Sequence, residues 1–173
     1  MGKFGKVMTA FVLVFVFVLV GAMCATGMSA VFPAFSSITV DGKDVTGDIF
    51  SEAKLTMVNL WATWCPPCIR EMPDLGNLGR SMPEGSRLIG IILDVDGPDD
   101  TDTINEAKRI MSMANADFVQ IFPSKEMVPV LSAVHAIPTT IFVNSAGSIV
   151  GSPIVGARDE KTYLAEVEKR LKR

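Results

Sequence analysis

Trp61-Ala62-Thr63-Trp64-Cys65-Pro66-Pro67-Cys68 sets two cysteines three positions apart. Before it, Leu55 to Trp61 (Leu-Thr-Met-Val-Asn-Leu-Trp) is mostly apolar and reads as a buried strand. After Pro67 a helical register begins. Cys65 therefore falls where unpaired backbone N–H groups and the positive end of a helix dipole favour a thiolate. Such a thiolate attacks a disulfide, and the second cysteine is close enough to resolve the mixed disulfide. Disulfide exchange is the chemistry implied, and it requires Cys65 to ionise readily and to be reachable from solvent.

Working outward, Ser37 to Val40, the turn Asp41-Gly42, and Lys43 to Thr46 predict a hairpin. Gly47 to Lys54 reads as a connector with one helical turn. The helix opened by the prolines runs from about Pro66 to Leu78, and Pro73 inside it predicts a kink, since proline lacks an N–H and crowds the preceding turn. Leu88 to Leu93 is apolar on both alternating faces, as in a central strand covered on each side. Ile104, Ala107, Met111 and Ala114 recur at helical spacing, with Thr103 and Glu106 as the expected capping box. Phe118 to Phe122 is a short strand, and Glu126 to Val134 a short helix with Pro129 in its first turn. Thr139–Asn144 and Ser148–Val155 are strands around the turn Ser145-Ala146-Gly147. Tyr163, Leu164, Val167 and Leu171 mark a final amphipathic helix. Alternating strands and helices predict a parallel core, and the hairpins at both ends predict antiparallel edges.

The first thirty residues are a different material. Lys3 and Lys6 precede the unbroken apolar run Ala10 to Val20, and no acidic residue appears before Asp41. That pattern predicts an export signal. An uncleaved anchor is the alternative, because Val7 to Ala25 matches the roughly 20 residues that span a bilayer. Cys24 in Gly21-Ala22-Met23-Cys24 resembles a bacterial lipoprotein attachment site, although Met23 departs from the small residue such sites carry. A cut near Ala25 or Ala30 would discard Cys24. The expected organisation is thus 1–30 as signal peptide or membrane anchor and 31–173 as the folded domain. Without Lys3 and Lys6, 14 basic residues stand against 19 acidic, a net charge of −5, which disfavours nucleic acid as a partner. Three cysteines, one of them in the leader, leave a single pair, too few for a structural framework.

The run Asn59 to Cys68, followed by Glu71-Met72-Pro73 and later Ile137-Pro138-Thr139-Thr140, resembles the thioredoxin superfamily. Within it the closest resemblance is to the exported TlpA-like (ResA-like) thiol–disulfide oxidoreductases, from about Phe32 to Arg173. The resemblance implies a thioredoxin-like three-layer α/β/α sandwich with a central mixed sheet and an N-terminal β-hairpin extension. It implies that Cys65 is the nucleophile and Cys68 the more buried resolving thiol. Pro138 matches the proline that follows a cis peptide and faces the dithiol, turning the Ile137 backbone toward an extended client. Trp64 is implied in substrate contact, with Trp61 packed beneath the pair. Cytoplasmic thioredoxins carry a buried Asp where this chain has Asn59, and TlpA-like proteins carry the acidic residue that is Glu71 here. Cys68 and Glu71, at i and i+3, share a helix face. A partly buried Glu71 would accept the Cys68 proton; a solvated Glu71 paired with Lys or Arg is the alternative. Pro66-Pro67 departs from the Gly-Pro of thioredoxin and would tune the redox potential.

The resemblance further implies a redox-active disulfide with no other cofactor and no metal. Its partners would be disulfide-containing exported clients and a membrane-embedded thiol relay as electron donor. The protein would be a monomer at the extracytoplasmic face of a bacterial membrane, reducing client disulfides, with the direction of electron flow left open. A c-type haem site fails because Ile69 stands where His is required. His135 with one Cys pair cannot complete a standard zinc set; it is expected on an exposed loop. Asp94, Asp96, Asp99, Asp100 and Asp102 do not follow the calcium-loop order and read as turn and cap residues. A peroxidase would need a single peroxidatic cysteine in a different setting. The rival from another class is a non-enzymatic dithiol module holding Cu(I) or a client at the membrane.

Overall fold

In the computed structural model, which describes residues 31–172, the chain forms β1 (Ser36–Ile38), β2 (Asp44–Thr46), a 3-10 turn (Gly47–Glu52), β3 (Leu55–Trp61), α1 (Pro66–Ser81) and β4 (Ser86–Ile92). There follow α2 (Thr101–Met113), β5 (Val119–Ile121), a second 3-10 turn (Lys125–Met127), α3 (Val128–Leu131), β6 (Thr139–Asn144), β7 (Ile154–Val155) and α4 (Glu160–Leu171). The expectations of export, anchoring and attachment at Cys24 fall outside the described residues.

Five strands form the central sheet in the order β5-β4-β3-β6-β7. β3, β4 and β5 run parallel, while β6 and β7 join antiparallel. β1 and β2 make the expected hairpin. Beyond Ile38 the hairpin continues onto the free edge of β5: Thr39 bridges Ile121, the Val40 N–H donates to the Gln120 carbonyl, and the Phe122 N–H donates to the Ile38 carbonyl. An edge of unpaired backbone groups is thereby covered.

Alternation along the strands divides the core in two. Met57 and Trp61 of β3, Leu88 and Ile92 of β4 and Phe142 of β6 pack with Met72, Leu75 and Leu78 of α1, Ala107 and Ile110 of α2, and Tyr163 and Val167 of α4. Val58, Leu60, Ile89, Ile91, Ile121, Ile141 and Val143 point the other way, onto Phe32, Phe35, Ile49, Phe50 and Met127, with α3 alongside through Val130 and Leu131. The architecture is the thioredoxin-like sandwich, with its long helices on one face. The parity of β3 puts Asn59 on the same face as Met57 and Trp61, toward α1 and α4.

Two expectations are corrected. α2 begins at Thr101 and is capped by Asp100, which accepts from the Thr103 N–H at 3.3 Å; Glu106 turns outward and pairs with Arg109. Asp100, one residue ahead of the first turn, reaches its donors first. Ser148–Val155 is not one strand: Ile149 makes a lone bridge to Val143, and only Ile154–Val155 pairs with β6. Gly151, at φ +73°, and Pro153, which has no N–H, interrupt it. α1 passes through Pro73, which lies exposed on its outer side, and runs on to Ser81.

Candidate functional site

The N-terminus of α1 leaves four backbone N–H groups without helical partners unless something else accepts from them. Here all are accounted for. The Cys65 N–H donates to the Ala62 carbonyl at 3.2 Å. Pro66 and Pro67 have no N–H. The Cys68 N–H donates to Cys65 Sγ at 3.3 Å, so the cysteine sulfur is the helix cap. The turn leading into it is tied down by Asp94 in the loop after β4. Its carboxylate accepts from the Thr63 hydroxyl at 2.6 Å and from the Thr63 N–H at 3.0 Å.

Cys65 and Cys68 are joined as a disulfide. The Ile137–Pro138 peptide is cis, and the Ile137 carbonyl oxygen lies 3.8 Å from Cys65 Sγ. Sequence positions 65, 68, 137 and 138 thus come to one place. Trp64 stands beside them 70% exposed, Ile137 is half-buried and Pro138 is buried. His135 is exposed on the loop between α3 and β6. One expectation is not met in the oxidised state. Cys65 is only 2% exposed, against 0% for Cys68, so the leading sulfur is closed over rather than open to solvent. Its bond to Cys68 and the Ile137 carbonyl occupy the space around it. Its neighbours Trp64 and Pro66 are both exposed, which puts Cys65 directly under the surface.

Beneath the pair, on the same face of α1, Glu71 is 3% exposed, and among the described residues it makes no ion pair with a Lys or Arg side chain. Its Oε1 accepts from Asn59 Nδ2 at 2.9 Å; its Oε2 accepts from the Tyr163 hydroxyl at 2.9 Å and from the Arg158 N–H at 3.1 Å. Burial pushes the carboxyl above the ordinary glutamate value, and the three donors offset part of that rise. Burial, with the Glu71 charge beside it, raises the Tyr163 phenol as well, so it stays protonated and remains a donor. Trp61 is fully buried, and its Nε1–H donates to Gln120 Oε1 at 2.9 Å. Gln120 lies across Gly90, where a Cβ would come within 2.0 Å of its amide oxygen.

Sequence reasoning missed Tyr163, Thr140, Gln120 and Asp94 as parts of this neighbourhood. Tyr163 carried a usable signal. It is the only tyrosine in the chain and sits on the buried stripe of the last helix, where a phenol needs a partner. No group of three or more metal-ligating side chains occurs among the described residues.

The sequence profile of the Redoxin family matches residues 25–169. The chain is 28% identical over 144 residues to a thiol:disulfide interchange protein DsbE homolog of Paracoccus denitrificans, covering 80% of this chain and 74% of that one. It is 30% identical over 100 residues to thiol-disulfide oxidoreductase ResA of Halalkalibacterium halodurans, covering 57% of this chain and 53% of the relative. The crystal structure of a thioredoxin-family thiol:disulfide interchange protein from Chlorobium tepidum superposes with a TM-score of 0.69 at 25% identity, covering 85% of this chain and 99% of that one. With a cysteine sulfur of a Cys65–Cys68 disulfide capping a helix in this fold, and the Redoxin profile matched over most of its length, the chain belongs to the Redoxin family, among relatives named as thiol–disulfide oxidoreductases.

Proposed function

We propose that this protein is an extracytoplasmic thiol–disulfide oxidoreductase that reduces disulfides of exported client proteins through Cys65 and Cys68. The observation carrying this reading is the sulfur of Cys65 serving as the cap of α1, with the Cys68 N–H pointed at it. In the reduced protein that N–H and the helix dipole stabilise a Cys65 thiolate. The thiolate attacks a client disulfide, forming a mixed disulfide and releasing one client thiolate. Cys68 then gives its proton to Glu71 and attacks Cys65 Sγ. The bond between Cys65 and the client breaks, the second client thiolate leaves, and the Cys65–Cys68 disulfide re-forms. Two electrons have passed to the client, and a membrane-embedded thiol relay returns them. Trp64 and the Ile137 backbone flank the sulfur that the client must reach. Residues 1–30 direct export and leave the domain at the membrane.

Catalysis of insulin reduction by dithiothreitol tests the reading. Acceleration with turnover, abolished in Cys65→Ser, is expected, and Cys68→Ser should accumulate the mixed disulfide with clients. Tight stoichiometric Cu(I) binding with no turnover would overturn it in favour of a metal-holding dithiol.

A further inference from the structure

Four side chains from four elements close a hydrogen-bond ring under the disulfide. Tyr163 of α4 donates to Glu71 Oε2, and the Thr140 hydroxyl of β6 donates to the Tyr163 oxygen at 3.3 Å. Asn59 Nδ2 of β3 donates both to Thr140 Oγ1, at 3.2 Å, and to Glu71 Oε1 of α1. Asn59, Glu71 and Thr140 are 0%, 3% and 0% exposed, and Tyr163 is fully buried. Asn59 Oδ1 is buried with no partner. Among the described residues, the charged or titratable groups acting on Glu71 are Tyr163 from α4 and Arg158 from the loop before α4, with Cys68 one turn earlier on its own helix; β3 and β6 present only the neutral Asn59 and Thr140.

We propose that Tyr163 is a positioning residue for the exchange reaction, holding the Glu71 carboxyl through a closed hydrogen-bond ring whose two hydroxyl bonds, from Thr140 to Tyr163 and from Tyr163 to Glu71, reverse when the carboxyl takes up the Cys68 proton. The inference rests on the role proposed above for Glu71. An amide N–H and a main-chain N–H can only donate, whereas a hydroxyl can do either. Of the three groups on the carboxylate, only Tyr163 can therefore become an acceptor. The proton leaving Cys68 Sγ comes to rest on Oε2 and points to the Tyr163 oxygen. The Tyr163 hydrogen swings to Thr140 Oγ1, while Asn59 keeps both of its bonds. Two hydroxyl hydrogens rotate, and a small turn of the Asn59 amide brings its Oδ1, unpartnered in the ionised ring, within reach of the Thr140 hydroxyl. The added proton makes one donor too many for the ionised ring. The spare acceptor is Asn59 Oδ1, on the amide already in contact with Thr140. Return of the proton after resolution runs the same rotations backward.

The test is a carboxyl-carbon NMR titration of Glu71, alongside the pH profile of disulfide exchange, in the full-length protein. Tyr163→Phe removes a donor from the ionised form and should raise the Glu71 midpoint by about one pH unit. The Glu71-dependent limb of the exchange profile should move with it, and the substitution should have no further effect in a Glu71→Gln background. Thr140→Val removes the acceptor that the reversed ring needs and should lower the midpoint. It also serves should Tyr163→Phe fail to fold. An unmoved midpoint in Tyr163→Phe, a rise in Thr140→Val, or an equal loss of rate at every pH with and without Glu71 would overturn the proposal. Midpoints that shift as stated while Glu71→Gln exchanges like wild type would instead defeat the role of Glu71, and with it the proposed function's proton step.

Discussion

Pro66 and Pro67 decide which donor the leading sulfur meets. With both N–H groups deleted from the first turn, Cys68 alone donates to Cys65 Sγ. Pro67→Ala restores an N–H at the second helical position, one of the two that an N-cap group accepts from. Reduced protein carrying it should titrate Cys65 at a pH lower by up to about one unit, as expected for one added hydrogen bond to a charged group. Thiolate absorbance against pH measures this, and an unchanged midpoint would show that the new N–H misses the sulfur. The near-complete cover over Cys65 makes a second measurement decisive at this scale. In the reduced protein Cys65 should alkylate with iodoacetamide at least about tenfold faster than Cys68, as a capped thiolate beside a buried thiol does. Equal, slow labelling of both would mean the sulfur stays shut away, and exchange through it would fail.

At the scale of elements, β3 and β6 lie where their apolar runs predict them, residue for residue, because a strand covered on both faces leaves an unbroken hydrophobic signature. The start of α2 is ambiguous in the sequence because Asp99, Asp100 and Thr103 all carry cap-forming side chains, and only the path of the loop selects Asp100. The crossing of α1 on the end of α2 was not legible at all. A Cβ on Gly76 would sit 2.8 Å from the Asn115 carbonyl oxygen and 2.9 Å from that of Ala114, both backbone atoms that cannot swing aside. Gly76→Ala should cost about 1–3 kcal/mol through forced backbone shifts, despite the higher helix propensity of alanine. Urea denaturation measures it, and a variant as stable as wild type would show that the two helices are free to part.

At the scale of the molecule, the buried carboxyl links site and stability. Glu71 is held above its ordinary value chiefly by burial. Its folded value thus lies above its unfolded one, so its contribution to stability is fully present below the unfolded value and is lost as pH rises through the folded one. Wild-type urea midpoints should fall across that window more steeply than those of Glu71→Gln, which has no charge to bury. Parallel curves for the two proteins would show that Glu71 titrates as freely as in the unfolded chain.

The chain alone was enough to locate the dithiol at the head of a helix, the order of strands and helices, and the placing of Glu71 on the resolving cysteine's helix face. Each of these depends on neighbours a few residues apart, where backbone geometry repeats and leaves a period in the sequence. Tertiary structure alone decided that Asn59, Thr140 and Tyr163 enclose that carboxylate, that Gln120 crosses Gly90 to meet Trp61, and how deeply Cys65 is covered. Those contacts join residues from separate elements, most of them dozens of positions apart. No local period encodes which side chains will meet once the helices settle on the sheet.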